Sequence, residues 1–235
     1  MNIEEVMREL EALSTAQTKK VYKAHGVHEP HFGTPTTAMR PLAKKIKRDQ
    51  ALAEQLYATG NYDAMYFAGM IADPTLMTEE DFERWIDAAY FFMLSDYVVA
   101  VTLAEAPIAQ KVADRWIESG LELKMSAGWS CYEWLLGWRP DCEFDQSKIK
   151  KMLERAADSI HDQPNRTRYA MNNFVIAVGV SYLPLHEDAL DAALKIGKVK
   201  VSTEKGACSV AVASEAIEKA KEKGRIGFKR RAVRC

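Results

Sequence analysis

In the run AYFFMLSDYVVA (89–100), Asp96 stands among Phe91, Phe92, Met93, Leu94, Tyr97, Val98 and Val99. A carboxylate taken out of water is costly unless it is paired or hydrogen-bonded, so Asp96 needs a partner or a task. Held in a partly dry site, such a group stabilises developing positive charge and orients or deprotonates a water. Phe92 and Asp96 are four residues apart, which puts ring and carboxylate on one face of a helix, where both meet the same ligand. A second use stays open: Ser95-Asp96 is a good N-cap pair, in which the carboxylate takes the amides of a following helix or helix–helix turn.

Other spacings are less specific. Trp129 with Glu133, and Trp134 with Trp138, are i, i+4 pairs in SAGWSCYEWLLGW. Aromatics dominate packing between helices, so this stripe with Tyr132 is expected mostly in the core, with one or two members, Trp129 among them, reaching a groove. His25, His28 and His31 recur at intervals that suit a metal, but Gly26 and Pro30 make the segment a loop, and no second ligand cluster is near in sequence. No metal site is expected. The cysteines Cys131, Cys142, Cys208 and Cys235 form no C-x-x-C pair, which points to reduced thiols rather than a zinc ribbon or redox motif.

The net charge of −1 conceals an uneven distribution. Residues 49–145 hold 18 acidic against 5 basic side chains, whereas 1–48 carry +4 and 148–235 carry +8. That asymmetry predicts a positive surface built by the two ends of the chain. MNIEEVMREL is acidic and amphipathic, unlike a secretion signal, and no window approaches the roughly 18 apolar residues of a membrane span, so a soluble cytoplasmic protein is expected.

The elements that must position these groups are helices. Ile3, Val6, Met7, Leu10 and Leu13 keep a three-and-four spacing. The stretch Leu42–Leu56 repeats it, with Pro41 suited to an early helical position and Thr59-Gly60-Asn61 to the stop. Ala/Gly-rich apolar units end at Pro74, Pro140 and Pro184, and charged amphipathic helices flank them: EEDFERWIDAAYFFM, QKVADRWIESG, QSKIKKMLERAADSI and HEDALDAALKIG. Thr78 and Asp81 form a capping-box-like start. The alternation predicts an all-α chain, an α-α superhelix of stacked helix pairs in a HEAT-like solenoid, with an ordinary helical bundle as the alternative. Residues 1–235 read as one such domain, with 198–235 as an extension carrying a basic tail. Within KVKVSTEKGACSVAV (198–212), valines alternate around a Gly-containing turn, which predicts a short hairpin or extended loop.

Several of these segments resemble the HEAT-repeat DNA alkylation-repair family, the AlkD-like alkylpurine DNA glycosylases. FGTPTTAMRPLAKKI (32–46) is similar to that family's first repeat, YDAMYFAGMIAD (62–73) to its next inner helix, and AYFFMLSDYVV (89–99) to the segment in which the family carries an aromatic four residues before an Asp. The resemblance spans about residues 1–197 and departs at two places. Ser126 in KMSAGW stands where the family presents an active-site Arg, and Asn172 or Asn173 in YAMNNF where it has a Trp.

The resemblance implies double-stranded, alkylated DNA as partner, a groove lined by Phe92, Tyr97, Ser126, Trp129, Asn172 and Asn173, and Asp96 as the catalytic carboxylate for hydrolysing the N-glycosidic bond of N3- or N7-alkylated purines. No cofactor is required, because an alkylated purine is already a cationic leaving group. The expected backbone contacts are Lys44, Lys45, Lys47 and Arg48, then Arg166 and Arg168 near the helix start Pro164-Asn165, then the tail with Lys229, Arg230 and Arg231. Arg168, one turn before Asn172, is a candidate substitute for the missing Arg. The alternative is a catalytically inactive HEAT-like DNA- or protein-binding scaffold; a monomer is expected either way.

Overall fold

Helices begin where the chain supplies caps. Asn2 and Glu5 cap the helix Ile3–Ala12 reciprocally, each side chain accepting the other's amide, and Thr78 with Asp81 does the same for Glu79–Ala88. Asp49, Asn61 and Asp145 accept first-turn amides of the helices Gln50–Tyr57, Tyr62–Ile71 and Gln146–Ser159. The computed structural model describes residues 1–203, 206–208 and 210–233. Its helices run α1 (Ile3–Ala12), α2 (Ala16–Ala24), α3 (Thr36–Ile46), α4 (Gln50–Tyr57), α5 (Tyr62–Ile71), α6 (Glu79–Ala88) and α7 (Phe92–Leu94). They continue with α8 (Ala100–Glu105), α9 (Ala109–Ile117), α10 (Glu122–Trp138), α11 (Gln146–Ser159), α12 (Asn165–Ser181), α13 (His186–Ile196) and α14 (Ala213–Glu222). Two short strands, β1 (Val201–Thr203) and β2 (Gly206–Cys208), pair antiparallel with Val201 opposite Cys208. This is the expected all-α stack with its short hairpin.

An inner layer of α5, the α7–α8 run, α10 and α12 packs against an outer layer of α4, α6, α9, α11 and α13. Small residues set the approach. A Cβ on Gly69 of α5 would lie 2.6 Å from Val98 Cγ1, and one on Gly128 of α10 would lie 2.8 Å from the Ala113 carbonyl oxygen of α9. The outer layer is laced by ion pairs between successive helices: Arg84 to Glu54, Arg115 to Glu79 and Glu83, Lys148 to Asp114, and Lys150 to Asp188. Trp85 and Trp116 donate their indole N–H to Glu54 and Glu83 within the same ladder. Much of the acidity of residues 49–145 is therefore neutralised on the convex side.

Two local expectations are corrected. Pro41 lies inside α3, which starts at Thr36 with Pro35 as N-cap, and the stretch Leu42–Leu56 is broken in two. The break falls at Lys47, whose φ of +67° ends α3 before Asp49 caps α4. The run through Asp96 is not regular either: Ser95–Val99 form a π-helical turn in which the Ala100 amide reaches the Ser95 carbonyl. Among the described residues, no helix is long and apolar enough to cross a membrane.

Candidate nucleic-acid interface

Asp96 is 2 % exposed, and both of its carboxylate oxygens are taken. Ser95 Oγ donates to Oδ1 at 2.7 Å, and Ser126 Oγ, on α10, donates to Oδ2 at 2.8 Å. Above them, the Arg166 guanidinium at the start of α12 lies 3.5 Å from the centre of the Phe92 ring and 4.7 Å from that of Tyr169. Burial raises the Asp96 pKa to about 6, against the two serine bonds and the Arg166 charge, which lower it, and with a small upward contribution from Glu122. Neither reading of Asp96 as a helix cap holds, because its partners are hydroxyls rather than a following turn's amides.

A second carboxylate, the half-buried Glu133, lies on the same helix as Ser126. Burial raises Glu133 to about 7, opposed by the Arg230 charge and by a side-chain hydrogen bond from Asn173. Arg230 in turn stacks over Trp134 at 4.8 Å, and Trp134 Nε1 donates to the Asp96 carbonyl oxygen at 3.1 Å. Each carboxylate is thus covered by an arginine that rests on an aromatic ring. The two arginines come from α12 and from the tail.

Beside this pair opens a concave groove of about 760 Å³. Arg40, Lys44, Lys47 and Arg48 of the α3 region form one wall, Tyr66, Tyr97 and Trp134 line the inner side, and Arg230 and Val233 of the tail close the far edge. Arg48 is spent on Glu105 at 2.6 Å and Asp73 at 3.8 Å, whereas Arg40, Lys44 and Lys47 form no ion pair among the described residues. The tail is anchored: Lys229 Nζ donates to the Leu136 carbonyl and pairs with Asp141, both at 2.7 Å, and the Arg230 amide reaches Gly137 O. Arg231 is exposed, and Arg234 lies outside the described residues.

Several expected positions fall elsewhere. Trp129 is 1 % exposed and packs edge-on against Phe174, so it is core and does not line the groove. Asn172 is fully buried, with its Nδ2 donating to Ala211 O, and it too leaves the groove; Asn173 is the member that reaches Glu133. Lys45 points to the opposite side of α3, into a shallow depression shared with Glu5, Arg8 and Glu9. The cation over Asp96 is Arg166, not Arg168. One of the first amides of α12, that of Arg166, is not free: Glu122 accepts it at 2.6 Å. Asn165 exchanges two 2.7 Å hydrogen bonds with the Ser202 backbone, tying α12 to the hairpin.

Sequence reasoning missed Asp63. Its carboxylate, fully buried, accepts the amides of Phe32, Gly33 and Thr34 and the Tyr22 hydroxyl, at 2.6–3.1 Å. That fastens the loop before α3 to α5 and so aims the cationic wall at the groove. The signal was a lone acid in the first turn of the otherwise apolar YDAMYFAGMI. The histidines of the same region serve packing: His28 stacks on Tyr90 and His31 meets Tyr22 edge-on. No cluster of three His, Cys, Asp or Glu suited to a metal occurs among the described residues.

The sequence profile of the DNA alkylation repair enzyme family matches residues 6–219. The chain is 31% identical over 221 residues to the uncharacterized protein Lin0241 of Listeria innocua and 30% identical over 220 to Lmo0209 of Listeria monocytogenes, covering 92% of this chain and 95% of each relative. A solved structure superposes over 100% of both chains with a TM-score of 0.95 and 61% identity; it is described as a new family of proteins related to the HEAT-like repeat DNA glycosylases with affinity for branched DNA structures. With helix pairs stacked in the same order and a family match over nearly the whole sequence, the chain belongs to the DNA alkylation repair enzyme family.

Proposed function

We propose that this protein binds branched DNA in its concave groove and does not excise bases. The observation that carries the reading is the state of Asp96: 2 % exposed, with one serine hydroxyl on each oxygen and an arginine stacked overhead. A carboxylate so engaged accepts a serine hydroxyl on each oxygen and leaves almost no surface open to a water or a sugar. The cations Arg40, Lys44 and Lys47, which form no ion pair among the described residues, supply what phosphate binding needs, since backbone contacts carry most of the affinity. The affinity for branched DNA described for the 61% identical relative supplies the choice of DNA form. Base excision remains the second reading, because the Phe92–Asp96 pair of the family pattern is present.

Fluorescence anisotropy with a three-way junction and a linear duplex of equal length tests the reading. The junction is expected to bind at least tenfold tighter at a fixed salt concentration. Equal affinity for the two would remove branched DNA as the target.

A further inference from the structure

The groove is more than a charged channel. Its inner side carries three half-buried rings, Tyr66, Tyr97 and Trp134, facing the cations of α3 across a cavity of about 760 Å³. That volume lies within the range of roughly 300–1,000 Å³ of pockets that enclose small ligands, and a smooth duplex backbone has no part that enters one. The rings are held in place. Trp134 Nε1 is bonded to Asp96 O at 3.1 Å, and Tyr97 meets Trp134 edge-on at 6.0 Å. One face of Trp134 already takes a planar group, the Arg230 guanidinium. The floor is apolar, formed where Gly69 lets α5 close on Val98.

We infer that this cavity receives an unpaired nucleotide of DNA, its base stacked on Tyr97 or Trp134 and its phosphate held by Arg40, Lys44 or Lys47. The inference rests on the branched-DNA reading and sharpens it: branch points are where duplex DNA offers unstacked bases. An aromatic inner side facing a cationic wall is the pairing that single-stranded nucleotides require, and stacking tolerates any base.

Two three-way junctions separate the alternatives, one fully paired and one with two unpaired thymidines at the branch. Wild-type protein is expected to bind the second about tenfold tighter, equivalent to about 1.4 kcal/mol, within the range for one stacked base. A 2-aminopurine replacing one of those thymidines loses emission on binding. Ala43→Phe, which fills the cavity from α3, and Tyr97→Leu, which removes a ring, each bring the ratio to about one, with folding checked by circular dichroism. Equal affinity of wild-type protein for both junctions with unquenched 2-aminopurine, or an unaltered ratio in both folded variants, overturns the inference while leaving junction binding standing. Failure to bind either junction overturns the branched-DNA reading itself.

Discussion

Ser126 Oγ donates a 2.8 Å hydrogen bond to Asp96 Oδ2 and lies 3.2 Å from the Arg166 carbonyl oxygen. The residue that stands where the family pattern has an arginine therefore closes the carboxylate in. Ser126→Ala leaves a buried oxygen unpaired, and a hydrogen bond to a charged group is worth about 1.5–3 kcal/mol. Urea denaturation at pH 8 should show that loss, and it should shrink at pH 5, where Asp96 is largely protonated. A loss that does not change with pH would mean that Ser126 acts through packing alone.

Stability should rise as pH falls from 8 toward 5. An acid whose pKa is raised on folding holds its proton more tightly in the native state, so its contribution is full below the unfolded value, about 3.9 for Asp and about 4.3 for Glu, and is lost as pH rises through about 6 for Asp96 and about 7 for Glu133. Surface acids with lowered values, such as Glu79 and Glu83, lose their contribution only in more acidic solution. Urea midpoints at pH 5.5 and 8 give the comparison.

Asp96→Asn should stabilise the protein at pH 8, by up to about 3 kcal/mol. Its amide can donate to Ser126 Oγ, which stays within reach of the Arg166 carbonyl oxygen. Thermal denaturation should show a midpoint higher by about 2–4 °C per kcal/mol, and junction affinity should not change. A lower midpoint would contradict the burial account.

Arg40→Ala, Lys44→Ala and Lys47→Ala should each weaken junction binding and reduce the salt slope by about one, as expected for a lost phosphate contact. Lys45→Ala should do neither, because Lys45 faces away from the groove toward α1. Titrations between low and moderate salt would show the difference, and an equal effect from Lys45 would move the interface to the other side of α3.

Gly69→Ala should destabilise by about 1–3 kcal/mol, the usual range for overpacking a core. The added methyl would meet Val98 Cγ1 at 2.6 Å and press on the π-helical turn that carries Asp96. Chemical denaturation measures the loss.

The layered helical architecture was legible because three-and-four spacing and small residues at close approaches are local signals. Asp96 was legible as an anomaly, since a charge in an apolar run is visible without a structure. Its partner was not: Ser126 lies 30 residues away, and a serine at an arginine's position reads as a vacancy until the contact is seen. Arg166 read as a phosphate ligand because sequence shows charge but not direction, and the two aromatic rings that draw it inward come from different helices. The tail read as a charge run; its anchoring depends on the free carbonyls at the end of α10, which only the fold brings near it. Trp129 and Asn172 show the converse, because residue type suggested a groove while helix rotation placed them in the core.

The most direct test counts methylated bases released from N-methylpurine DNA with protein in excess, for wild-type and Asp96→Asn. No release above spontaneous depurination is expected for either protein. Release by wild-type that disappears in Asp96→Asn would contradict it and restore Asp96 to catalysis.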